Sequence, residues 1–415
     1  MPRVAWRALR PQSLTPHQVR VLALLWLACL PASFVNTIFT QTVAFASDEF
    51  GVGAAGQGVG AAVVRLGIVL MLPLAALADR VGRRRLIVAM AWCAPVAAAT
   101  GALSPSFGVL VATQTVARPL GIALSVFVIV AATEEMGSDA RAWALGVLAL
   151  GSGLGAGSAV AALPLAGISP QSWRWTYVVG LAWLAVAAVV TRSLPETRRF
   201  ESLQSGSATE ATAIDRGRLA VQLIAAALVN VFIAATSVFQ VRYLTDVRGF
   251  SAARAALFTI VTAAPASVAL VAGGRLADRR GRRVVAAAST AAGAALLASA
   301  FVVGGWAMWA LAVAGGVALG LAYPAMAVFR GELFPTARRN VASATITTAS
   351  LVGGSLGLVA AGAAIDAGTA YGTVMWWLAA GPIAVAVLVL AAFPETAMRE
   401  LEEINPPGGD RPTPQ

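Results

Sequence analysis

Two arginines, Arg65 and Arg118, stand inside long apolar runs. An ionised side chain at the centre of a bilayer costs about 2.5–3.5 kcal/mol on insertion scales, so it is kept for binding an anion, moving charge or holding backbone carbonyls. Arg118 falls about twelve residues into its run, which at helical rise is close to the midplane. Gln114 at i−4 and Ser125 at i+7 share its helix face, and Pro119 follows it and loosens the local ladder. Two further pairs, Thr37/Gln41 and Thr236/Gln240, repeat one i,i+4 pattern in two different runs. Asn36 adjoins the first. Such side chains recognise a polar solute, or alternatively glue helices together. Arg65 lies nearer the outer end of its run, where it either snorkels outward or pairs with Asp48 or Glu49.

The acids are elsewhere. No Asp or Glu falls deep in any run. Glu134, Glu135 and Glu332 sit near inner helix ends, Asp48 and Asp366 near outer ones. Asp48 and the three glutamates are the candidates for proton coupling. A site with arginines and no acids favours an anionic or strongly hydrogen-bonding solute over a lipophilic cation. His17 is the single histidine, on a basic flank, and is expected to be solvated. Cys29 and Cys93 lie in separate apolar runs and behave as small hydrophobes. With these residues no metal site, no cofactor and no disulfide is expected. The loops hold no nucleophile–base pair and no phosphate loop, which argues against an enzyme. Nothing reads as a channel filter.

The positioning elements follow from composition. The chain has 415 residues, 58% hydrophobic and 12% charged, with mean hydropathy +0.78. Soluble domains are about 45–50% apolar and about 25% charged, so lipid is the solvent here. Twelve apolar runs fall near 20–46, 56–78, 86–104, 106–132, 142–166, 175–192, 219–243, 253–275, 284–303, 305–329, 341–364 and 371–393. This predicts an all-α integral membrane protein of twelve transmembrane helices. The first run reaches Ala46, too long for a signal-peptide core of about 7–15 residues. Thr15-Pro16-His17-Gln18 reads as a helix start, with a threonine cap and a glutamine three residues on.

All basic residues are arginine, and the net charge is +11. A pI near 11.2 elsewhere suggests nucleic acid, but here the arginines cluster in short loops, so no nucleic-acid partner is expected. With the N-terminus inside, 24 of the 30 arginines fall on the cytoplasmic side. The positive-inside rule then puts both termini in the cytoplasm. The expected organisation is a cytoplasmic segment 1–19, a six-helix bundle 20–192, a polar linker 193–218, a second six-helix bundle 219–393 and a tail 394–415.

The stretch LADRVGRRR at 77–85 returns as LADRRGRRV at 276–284. The offset of 199 joins Asp79 to Asp278, Gly82 to Gly281 and Arg83 to Arg282; it also joins LPET (194–197) to FPET (393–396), Thr37 to Thr236 and Gln41 to Gln240. One offset across separate regions marks an internal duplication, with two parallel repeats related by an axis along the membrane normal.

These residues resemble the major facilitator superfamily. Its loop signature G-x-L-A-D-R-x-G-R-R is matched fully from Gly274 to Arg283, and from Ala75 to Arg84 with Ala75 replacing the leading glycine. SWRWTYV (172–178) and GELFPTARR (331–339) are similar to recurring superfamily stretches, and Glu134-Glu135 with Arg141 is a looser counterpart. The resemblance implies two six-helix bundles related by a pseudo-twofold axis, working by alternating access as a plasma-membrane monomer. It implies that Asp79, Gly82, Arg83, Asp278, Gly281 and Arg282 form breakable latches. Asn36, Thr37, Gln41, Gln114, Arg118, Thr236 and Gln240 are the substrate-binding candidates, since the resemblance places helices 1 and 7 at a central cavity and often has an arginine at this point of helix 4, though with a glycine four residues on where this chain has Gly121, three on. The coupling ion it implies is the proton. Glycine runs GSGLGAG (151–157) and LVGGSLG (351–357) allow close helix approach. The drug/proton antiporters resembled here carry a Gly-Pro pair in helix 5, where this chain has Gly155-Ala156. The expected function is secondary transport of a small organic solute, an acid among the options, with multidrug efflux by proton antiport as the alternative.

Overall fold

The computed structural model of the chain describes residues 14–70, 83–136, 138–195, 215–332, 334 and 339–395. Among them eleven helices are long and apolar enough to cross a membrane. They are α1 (Pro16–Glu49), α3 (Arg83–Leu103), α4 (Phe107–Glu135), α5 (Ala144–Gly167), α6 (Trp173–Ser193), α7 (Arg216–Val247), α8 (Ala252–Arg280), α9 (Arg282–Ala300), α10 (Gly305–Glu332), α11 (Arg339–Asp366) and α12 (Tyr371–Ala392). A shorter apolar helix, α2, covers Ala54–Val69, and the remainder of its expected span lies outside the described residues. No strand occurs among the described residues. The architecture is the all-α, twelve-helix membrane type, since only helices or closed barrels satisfy every backbone group in lipid.

Local chemistry sets the ends. Thr15 starts α1 with a reciprocal capping box: Gln18 N donates to Thr15 Oγ1 at 3.2 Å, and Thr15 N donates to Gln18 Oε1 at 3.1 Å. The α6 span is not one uniform helix, because Gly180–Trp183 tightens into a 3₁₀ turn. At the far end of α7, Tyr243–Val247 widens into a π turn.

The described chain clusters into two compact units. The first holds α1, α2 from Val63 onward, α3 to α6, and Phe250–Ala256 at the start of α8. The second holds Ala54–Ala62 at the start of α2, α7, the rest of α8, and α9 to α12. The first core is built on residues such as Leu25, Ala28, Ala91, Leu124 and Val190. The second is built on Ala225, Ala286, Phe329, Ile346 and Val389.

Alanine and glycine dominate these contacts for a physical reason. In lipid, helices gain little from hiding apolar surface and associate through close packing. Gly155 of α5 lies on the Leu30 backbone of α1, where an added Cβ would meet Leu30 Cα at 2.9 Å. Gly151, one turn earlier, lies on Trp26. In the second unit Gly353 and Gly357 of α11 lie on Ala227 and Val231 of α7, with Cα atoms 2.7 and 2.8 Å from the added Cβ. The two glycine runs therefore seat α5 on α1 and α11 on α7. Neighbouring Gly153 faces open space. Gly155→Val should cost about 1–3 kcal/mol by overpacking, while Gly153→Ala should be near neutral. The melting temperatures of the two purified variants check this: equal melting would mean the α1–α5 contact is not tight.

Candidate functional site

The site around Arg118 is set by two close helix approaches within the first unit. Gly121 of α4 faces α1, where an added Cβ would meet Asn36 Oδ1 at 2.8 Å and Ala32 O at 3.2 Å. Asn36 Nδ2 reaches Ser125 Oγ at 3.5 Å, and Ser125 Oγ donates to Gly121 O at 3.1 Å. On the other side, Gly67 at the end of α2 faces Thr115, where an added Cβ would meet its carbonyl oxygen at 2.6 Å. That carbonyl is the one left without an intrahelical donor by Pro119, whose nitrogen carries no hydrogen. The proline thus prepares the surface that α2 packs on.

This packing brings the two intramembrane arginines together. Arg65 lies two residues before Gly67, and Arg118 three after Thr115. Their charges are close enough to act on each other. Arg118 is half-buried and makes no hydrogen bond or ion pair among the described residues. On α1, Asn36 Oδ1, packed against Gly121 one turn from Arg118, and Gln41 Oε1 are buried acceptors with no donor among the described residues. Thr37 is half-buried between them in sequence. A guanidinium with unused donors and, one turn along α4, an unused amide oxygen on α1 make a candidate site that offers both charge and an acceptor.

The other predicted residues fall elsewhere. Gln114 is 1% exposed and donates to Ala98 O of α3 at 3.1 Å, so it fastens α3 to α4. Spacing put it on the face of Arg118, but crossing helices give one face different neighbours at different depths. On α7 the Thr236 hydroxyl bonds back to Phe232 O at 2.9 Å. Gln240 Nε2 donates to Thr259 Oγ1 at 3.3 Å and lines a small apolar pocket with Tyr243, Phe258 and Phe301. The pair on α7 therefore repeats the residues of α1 without repeating their unsatisfied chemistry.

The charged islands are partly described. Asp79 and Gly82 lie outside the described residues, as do the side chains of Asp278, Glu332 and Arg141. Arg83 pairs with Glu134 of α4 at 3.2 Å, both largely buried. Arg84 donates to Leu194 O at 2.6 Å and Thr191 O at 3.1 Å, closing the carbonyl end of α6. In the second repeat, Gly281 has φ +91°, a conformation that favours glycine. It turns the chain so that Glu395 accepts from Arg282 N at 2.9 Å and Arg283 N at 3.2 Å, capping α9. Glu395 belongs to the FPET stretch. The 199-residue offset flagged that stretch, but only the fold shows its partner.

His17 is not simply solvated as expected. Its Nε2 lies 3.3 Å from Glu135 Oε1, and Gln18 Nε2 donates to Glu135 O at 3.0 Å. The capped first turn of α1 is thereby docked on the end of α4.

At the opposite helix ends each repeat fastens the same carbonyl differently. In the first, Glu49 accepts from Trp173 Nε1 at 2.6 Å and pairs with Arg174, and Arg174 donates to Ser104 O at 3.1 Å. Glu49 is thus engaged by Arg174 rather than by Arg65. In the second, Arg248 donates to Val303 O and to Tyr243 Oη, the latter at 2.7 Å. Glu49 and Arg248 are 199 apart, and so are Ser104 and Val303.

A sequence profile of the Major Facilitator Superfamily matches residues 25–266 and again 223–413. The chain belongs to that superfamily. Solved members share its fold at low identity. A D-xylose-proton symporter superposes with TM-score 0.75 at 15% identity, over 91% of this chain and 98% of that one. The nucleoside transporter NupG gives 0.74 at 16% identity, over 90% and 100%. A bacterial homolog of the human lysosomal transporter Spinster gives 0.69 at 18%, over 91% and 96%. Among curated proteins, a "Chloramphenicol resistance protein" of Streptomyces lividans is 27% identical over 246 residues, which spans 58% of this chain and 62% of that protein.

The cap at Glu395 is a structural joint next to the loop signature. Glu395→Ala should lower stability by about 1 kcal/mol, the usual worth of a cap. Chemical unfolding of the purified variant against the parent checks it, and an unchanged midpoint would mean the cap is idle.

Proposed function

We propose that the chain is a secondary active transporter of a small organic anion that also carries hydrogen-bond donors. The observation that supports this most is Arg118, a guanidinium deep in a span without a protein partner among the described residues, one turn from Gly121, which packs on the unsatisfied Asn36 Oδ1; Gln41 Oε1, on the same helix as Asn36, is likewise unsatisfied. Arg118 would hold the anionic group, and Asn36, Thr37 and Gln41 would meet hydroxyl or amine groups of the solute. Gln114, Thr236 and Gln240 serve helix packing in this proposal.

Transport proceeds by alternating access, with the loop-signature residues Asp79, Gly82, Arg83, Asp278, Gly281 and Arg282 acting as inner latches. Coupling is to protons, in keeping with the proton symporter among the structural neighbours. Asp48, Glu134, Glu135 and Glu332 are the carboxylates available to carry them outside the bilayer centre. The protein resides in the plasma membrane as a monomer with both termini cytoplasmic, as the arginine distribution favours.

Multidrug efflux by proton antiport is the alternative, favoured by the chloramphenicol-resistance relative. Thermal shift of purified protein against organic acids, sugars and lipophilic cations separates the two. A ligand at about 100 times its Kd stabilises by about 2.7 kcal/mol. Organic acids should stabilise the parent and lose that effect in Arg118→Ala, and uptake of the stabilising acid should fall at least about 100-fold in the same variant. Stabilisation by lipophilic cations alone would overturn the anion assignment in favour of efflux.

A further inference from the structure

Two neighbouring helices of the first unit each turn an exposed stripe outward. On α3 the stripe runs through Arg85, Trp92, Val96 and Leu103, and on α6 through Ala182, Ala185, Val189 and Arg192. Both follow helical spacing, so each is one face. An apolar stripe left exposed on a spanning helix is solvated by acyl chains, which are as apolar as leucine. Each stripe ends in an arginine at the side of the unit that carries the loop signature.

The contacts between the two helices bring those ends together. Trp92 Nε1 donates to Thr191 Oγ1 at 2.9 Å. Arg84 donates to Thr191 O at 3.1 Å and to Leu194 O at 2.6 Å. Arg85 directly follows Arg84, and Arg192 directly follows Thr191. Arg83 and Arg84 spend their donors on Glu134 and on the end of α6. Arg85 and Arg192 are exposed and make no hydrogen bond or ion pair among the described residues. Neither α3 nor α6 contains an Asp or Glu.

The second repeat has the same face without its charges. By the 199 offset Arg83 and Arg84 recur as Arg282 and Arg283, but Arg85 becomes Val284 and Arg192 becomes Ala391. Trp92 becomes Ala291, and Thr191 becomes Leu390. Val284, Leu390 and Ala391 are exposed, as their counterparts in the first repeat are at least in part. Membrane topology needs basic residues in the loops of one side. That need is met in both repeats, and it does not account for an arginine pair confined to one face of one repeat.

Two guanidiniums with unused donors, at the end of an apolar face, form a phosphate site above an acyl-chain surface. Arginine binds phosphate oxygens through paired, charge-assisted bonds. Trp92 suits the headgroup level, where its ring meets acyl chains and its N–H meets polar groups. A zwitterionic headgroup would also bring its own cation against the arginines, whereas an anionic one does not. A second copy of the chain, docked by twofold symmetry, would set arginines against arginines with no acid from either helix to pair them.

We propose that the α3–α6 face of the first repeat binds an anionic phospholipid. Arg85 and Arg192 hold the headgroup phosphate, and the acyl chains lie along Val96 and Val189. The site stands apart from the candidate solute site, and its occupancy does not depend on which solute is carried.

The test is native mass spectrometry of delipidated full-length protein in detergent, titrated with phosphatidylglycerol or with phosphatidylcholine of the same chains. Phosphatidylglycerol should bind about tenfold more tightly. Arg85→Gln with Arg192→Gln should cut that preference to about twofold. Arg279→Gln with Arg280→Gln, which removes the same charge from exposed positions at the end of α8, should leave it intact. Excess inorganic phosphate should not displace the lipid. The proposal is overturned by the absence of a preference in the parent, by an equal loss in both double variants, or by displacement with inorganic phosphate. A dimer that forms through Arg85 and Arg192 in place of bound lipid overturns it too. If the first double variant does not fold, Arg192→Gln alone carries the test with about a threefold loss, and an unchanged preference there overturns the site.

Discussion

Lipid offers no hydrogen bonds, and the rest of this structure follows from that absence. Every backbone group must find a partner inside the chain, so the described protein is helical. Every polar side chain in a span must be satisfied, spent on its own helix, or available to a solute. Thr236 takes the second course by bonding to Phe232 O. Gln114 takes the first through Ala98 O. The Arg118 guanidinium and the side-chain oxygens of Asn36 and Gln41 have no partner among the described residues, which is what makes them the candidates for the third.

The same solvent removes the usual reward for packing apolar surfaces together, so close approach has to come from small residues. Gly155 on Leu30 and Gly353 on Ala227 are the joints that set α5 on α1 and α11 on α7. Gly121 and Gly67 do the same around α4, and there they serve function as well, since they bring Asn36 and Arg65 toward Arg118. Position by position, glycine decides which polar groups meet.

The duplication kept the frame and reassigned the fastenings. The carbonyl at the end of α3 is held by Arg174, itself held by Glu49, while its counterpart after α9 is held directly by Arg248 at the position of Glu49. The α8 start is capped by Ser251 and the α2 start by Asp366. Both solutions satisfy the same orphan groups at helix ends. The two caps differ in whether the fastening lies within one element or between two.

The sequence by itself determined what depends on composition and local spacing. Lipid-scale apolar runs established the twelve-helix membrane class, the 199 offset exposed the repeat, and Thr15 to Gln18 announced the α1 capping box that the structure contains. The glycine runs foretold close packing because a missing side chain has the same consequence in any fold. Tertiary structure decided what depends on which neighbour a face meets. Spacing put Gln114 and Ser125 on one face with Arg118, yet one bonds α3 and the other approaches α1. His17 found Glu135, and Glu395 and Asp366 capped helices more than a hundred residues away. Those partners are fixed by helix crossings, and a crossing is a property of two surfaces that no local pattern in one of them contains.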